Sequence, residues 1–146
     1  MVRILGIDYG ERRIGLALSD TLNIMAHGLP TIDTRKTPDF IDYIKNIVDK
    51  NNVEKIVVGL PKNMNGSIGE KGKKVLEFIE KLNQIIKIPT ISWDERLTSR
   101  QSERIGRDLG NKPSKHKEKI DKMAATLLLQ SYLDHLSHSL GKENET

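Results

Sequence analysis

Ile56-Val57-Val58-Gly59-Leu60 is a short, uninterrupted apolar run, and a run of this length without polar alternation fits a strand covered on both faces. Such a strand lies inside a sheet, so the rest of the chain must supply neighbours beside it and layers above and below. Residues 2–8, 13–19 and 24–32 read as three strands, joined by short turns at Gly10-Glu11-Arg12 and at residues 20–23. Connections that short make antiparallel neighbours. A helix is expected over 38–50, with Phe40, Ile41, Ile44, Ile47 and Val48 on one face. A second helix, carrying Val75, Leu76, Ile79, Leu82 and Ile86, follows the polar loop 61–69. Residues 88–93 read as a fifth strand, parallel to the fourth through a right-handed crossover. A helix over 97–109, a flexible stretch over 110–117 and a final helix over 120–136 complete the order βββαβαβαα. The expected class is α/β: a mixed five-stranded sheet flanked by helices, one domain over residues 1–136 with a polar, frayed tail over 137–146.

Only six of the 146 residues are aromatic, so the core must be built from Ile, Leu and Val. The absence of cysteine excludes disulfides and cysteine-based metal sites, and fits a reducing compartment. No apolar stretch approaches the roughly 20 residues of a membrane span, and the chain enters a strand at once, so a cytoplasmic protein without a membrane partner is expected.

Charge is concentrated rather than large. The formal net charge is +4, yet residues 96–122 alone carry +5 and the rest of the chain −1. A local field of that sign calls for a polyanionic partner. Arg96, Arg100, Arg104 and Arg107 fall within about 80° of one another on a helical wheel. They form one cationic stripe whose planar forks suit phosphate oxygens. Lys115 and Lys117 extend it, and Lys62 adds charge to the loop before the second helix, where main-chain amides form a potential anion site. The spacing around Gly72-Lys73-Lys74 is not that of a Walker A loop.

Three acids occupy comparable positions. Asp8 ends the first apolar run, Glu95 follows the fifth strand, and Asp121 opens the final helix at the edge of its sheet-facing stripe. Singly, each has a structural use: a turn acceptor, a partner for a nearby arginine, a charge near a helix N-terminus. Position alone does not choose between Glu95 and its neighbour Asp94. Together, carboxylates at the ends of core elements beside a basic segment suggest a Mg²⁺ site that hydrolyses phosphodiesters, because hard cations prefer carboxylate oxygen.

The motifs also resemble a known family. Gly6-Ile7-Asp8-Tyr9-Gly10, the strand Arg13 to Asp20, Val58-Gly59-Leu60-Pro61 with Asn63 and Gly66, Asp94-Glu95-Arg96-Leu97-Thr98-Ser99, and Ile120-Asp121 with Ala124-Ala125 occur in order. Together they resemble the YqgF family of RNase H-like proteins, related to Holliday junction resolvases of the RuvC type. The resemblance implies an RNase H-like fold and a Mg²⁺- or Mn²⁺-dependent nuclease, with Asp8, Glu95 and Asp121 as catalytic and metal-binding residues. It further implies a role in maturing the 5′ end of pre-16S rRNA, with branched DNA as the alternative substrate to structured RNA. A homodimer and a non-catalytic nucleic-acid-binding module stay open. A fourth acid near Asp121, as resolvases have, is absent: positions 122–125 are Lys, Met, Ala and Ala.

Overall fold

The computed structural model describes residues 2–95 and 113–144, with side chains of the last helix described over 121–137. The helix expected over 97–109 lies outside the described residues. The strands are β1 (Arg3–Tyr9), β2 (Arg13–Ser19), β3 (Ala26–Asp33), β4 (Val53–Leu60) and β5 (Thr90–Asp94). The helices are α1 (Phe40–Lys50), α2 (Glu70–Ile85) and α3 (Pro113–Asn144). They form one mixed sheet in the order β3-β2-β1-β4-β5. β1 and β2 are antiparallel, as are β2 and β3, whereas β1, β4 and β5 run parallel.

The apolar run occupies β4, between β1 and β5, and Ile56, Val57 and Val58 are wholly buried. Alternation along the strands divides the core in two. On one face Leu5, Ile7, Ile56 and Val58 pack with Ile44 and Val48 of α1 and with Val75, Phe78 and Leu82 of α2. On the other, Ile4, Ala17 and Val57 pack with Ala125, Leu129, Tyr132 and Leu133 of α3. Burying Leu129 and Leu133 stabilises this docking by about 1.5–3 kcal/mol for each side chain. Trp93 pins the last helix further, edge-on to Tyr132 with ring centroids 5.3 Å apart.

The last helix is longer than its apolar pattern indicates. It starts at Pro113, so residues 113–117 are helical rather than a flexible stretch, and it runs on to Asn144, past the expected end at residue 136. Proline suits the first helical position, where no amide donor is needed. The residues after it are mostly good helix formers that lack an apolar face, so periodicity could not reveal them. Among the described residues, no helix is long and apolar enough to cross a membrane.

Candidate functional site

Asp8 is the penultimate residue of β1 and pairs across the sheet with Gly15 of β2. It has the same parity as Ile4, so its half-buried side chain falls on the face covered by α3. Glu95 directly follows β5 and reaches over β4: its Oε1 lies 2.8 Å from the point a Cβ of Gly59 would occupy. Asp94 pairs with Leu60, whose side chain belongs to the opposite core. The register therefore brings Glu95, and not Asp94, alongside Asp8.

Asp121 stands one turn before Ala125 on the sheet-facing stripe of α3. It is not near the helix N-terminus but about two turns inside the helix. Its main-chain oxygen comes within 2.3 Å of where a Cβ of Gly15 would sit, so α3 crosses β2 beside Asp8. The carboxylate accepts a 2.8 Å hydrogen bond from Arg13 Nε, with both side chains partly exposed. Asp8, Glu95 and Asp121 thus line a single cleft of about 430 Å³ at the C-terminal ends of β1, β4 and β5. Tyr9, Glu11, Arg13, Lys71 and Lys74 complete much of its wall.

Three like charges crowd this cleft. Burial pushes the Asp8 carboxyl well above its ordinary value of 3.8, and a hydrogen bond to Glu95 and the charges of Glu95 and Asp121 push it the same way. Carboxyl groups brought this close leave the cluster short of positive charge. An oxygen-only donor set with that deficit fits a hard divalent cation such as Mg²⁺ or Mn²⁺. Among the described residues no three such side chains form a preformed metal cluster, and the Asp121 carboxylate is instead engaged by Arg13.

Sequence reasoning did not single out Arg13, Lys71 or Lys74. Arg13 could have been suspected from its place just beyond the turn that follows Asp8. Lys71 and Lys74 could have been suspected from their helical spacing in the first turns of α2. Lys74 forms an ion pair with Glu11 across the cleft mouth. Lys62 follows the cleft residue Pro61 but is not itself part of the lining. Arg96, Arg100, Arg104 and Arg107 lie outside the described residues. Lys115 and Lys117 fall on α3, with their side chains outside the described set.

The family model RuvX, described as Holliday junction resolvase, matches residues 2–135. A candidate pre-16S rRNA nuclease of Caldanaerobacter subterraneus subsp. tengcongensis is 49% identical over 141 residues, spanning 94% of this chain and 100% of the relative. A relative of the same description from Clostridium novyi is 45% identical over 135 residues, spanning 92% and 100%. Among solved structures, RuvC of Thermus thermophilus superposes with a TM-score of 0.54 at 12% identity, covering 92% of this chain and 96% of that one. The Fowlpox virus resolvase, solved with Holliday junction DNA, gives 0.53 at 15% identity, covering 92% and 98%. At those identities the structural likeness shows the fold: the RNase H-like architecture of these resolvases.

Proposed function

The chain belongs to the RuvX family, and from that membership and the acid cluster in its cleft we propose that it is a divalent-metal-dependent nuclease acting in 5′-end maturation of pre-16S rRNA. One observation carries the reading: Asp8, Glu95 and Asp121 line one cleft at the C-terminal edge of the sheet. Asp8, Glu95 and Asp121 would hold Mg²⁺ or Mn²⁺. Bound there, such an ion neutralises charge on the phosphate oxygens and makes water a better nucleophile. A cation held there would compete with the proton that burial favours at Asp8, so metal affinity should fall as pH falls.

The remaining residues position the strand. Lys71 and Lys74 offer charge on the α2 side of the cleft and Arg13 on the β2 side. The arginine stripe of Arg96, Arg100, Arg104 and Arg107, with Lys62, Lys115 and Lys117, extends phosphate contact beyond the scissile bond. Such contacts hold a backbone without reading its sequence. The second reading is cleavage of branched DNA, favoured by the description of the family model.

The two are separated by incubating the purified protein with precursor 16S rRNA and with a four-way DNA junction, each with and without Mn²⁺. Metal-dependent cleavage of the rRNA in preference to the junction is expected. Preferred cutting of the junction would establish the second reading, and no cleavage of either would end the nuclease assignment.

A further inference from the structure

We propose that Arg13 is a positioning residue that couples nucleic-acid binding to assembly of the acid cluster. In the free protein its guanidinium holds Asp121; a substrate phosphate draws the guanidinium away and releases Asp121 toward Asp8 and Glu95. The inference rests on the reading of the three acids as a metal site and adds an order of events to it.

Arg13 begins β2, and its parity matches Gly15 and Ala17, so its side chain leaves the sheet on the α3 side, where Asp121 stands. The 2.8 Å bond to Asp121 Oδ2 is made by Nε. Among the described residues that is the one hydrogen bond its side chain donates, leaving the other guanidinium N–H groups for a second acceptor. Both partners line the cleft and are about 30% exposed, so incoming nucleic acid can reach the pair. A partly exposed ion pair is weakly held and exchanges readily.

Chemistry supplies the direction. A phosphate matches the planar fork of arginine and competes well for it. While Arg13 remains on Asp121, a cation brought to the same carboxylate meets the guanidinium charge at close range, and like charges disfavour each other. Removing Arg13 from Asp121 therefore favours the cation, and placing the cation there favours Arg13 on the phosphate. Linkage makes the two effects equal: nucleic acid must tighten metal binding by the same factor by which metal tightens nucleic acid. The opposite lip repeats the arrangement, with Lys74 held by Glu11.

The test titrates Mn²⁺ into the full chain by calorimetry, alone and saturated with a short phosphorothioate oligonucleotide, whose linkages resist cleavage but keep their charge. Asp8→Asn serves as the control for ions taken up by the oligonucleotide itself. Wild-type protein should bind Mn²⁺ about fivefold or more tightly when the oligonucleotide is present, within the usual range of coupling between sites. Arg13→Gln should bind Mn²⁺ more tightly than wild type on its own and gain little from the oligonucleotide. Arg13→Lys, which keeps the charge should Arg13→Gln fold poorly, should retain only a reduced coupling, and either variant gaining as much from the oligonucleotide as wild type would overturn the role given to Arg13. Equal Mn²⁺ affinity with and without oligonucleotide in the wild type would overturn the coupling while leaving the metal site standing. Wild type and Asp8→Asn binding Mn²⁺ alike would overturn the metal site, and the coupling with it.

Discussion

Glu95 occupies space left open by Gly59: its Oε1, Cγ and Cδ lie 2.8, 2.9 and 3.2 Å from the position of an added Cβ. The carboxylate reaches Asp8 because the neighbouring strand carries no side chain at that point. Gly59→Ala should therefore act on function more than on folding. The obstructed atoms belong to the end of a flexible side chain that can swing away, so stability should change by no more than about 1 kcal/mol. Nuclease rate should fall about 10- to 100-fold as Glu95 leaves its place. A melting curve and a cleavage assay on one preparation check both, and an unchanged rate would contradict the role given to Glu95.

Gly15→Ala should do the reverse. The added Cβ meets the main-chain oxygen of Asp121 at 2.3 Å, and a backbone cannot swing aside. The helix α3 must shift off β2, at a cost of about 1–3 kcal/mol, the range for overpacking a close approach. Urea unfolding should show a lower midpoint with unchanged slope. A variant as stable as wild type would mean that α3 does not lie this close to β2.

Asp8 carries its own pH signature. Its carboxyl sits well above 3.8 in the folded protein, chiefly because it is buried and also because Glu95 and Asp121 are near. A group raised in this way favours the native state fully below its unfolded pKa, and that contribution disappears as pH rises through the folded pKa. Asp8→Asn removes the titration. In metal-free buffer the variant should melt higher than wild type at pH 7, with the difference shrinking as pH falls toward 3.8. A variant that melts lower at pH 7 would show that Asp8 is not a strained charge.

The sheet could be read from the chain because its signals are local: the apolar run in β4 and the short β1–β2 and β2–β3 connections each specify their neighbours. Asp8 and Glu95 were visible as acids at the ends of such runs. The choice between Glu95 and Asp94 was not, since it depends on Gly59 pairing with Trp93 and Leu60 with Asp94. Arg13 was hidden for another reason: its partner Asp121 is 108 residues away, and no spacing rule joins them. The start of α3 at Pro113 escaped because the sequence of residues 113–119 has no apolar periodicity to detect.

The arginine stripe should govern affinity rather than chemistry. Replacing Arg100 and Arg104 together by alanine should weaken binding of unrelated sequences alike. It should also lower the slope of log affinity against log salt by roughly one unit for each phosphate that is no longer neutralised. An unchanged slope would mean that these side chains face acids of the protein itself.

In the proposed function Asp8, Glu95 and Asp121 act as one metal-dependent hydrolytic centre. The most direct measurement compares Mn²⁺-dependent cleavage of precursor 16S rRNA by wild type, Asp8→Asn, Glu95→Gln and Asp121→Asn, prepared identically and checked for native folding. Each near-isosteric exchange removes one charge from the ligand set, so all three variants should lose cleavage by about 100-fold or more while still binding the RNA. Wild-type turnover retained by any one of them would contradict the three-carboxylate centre.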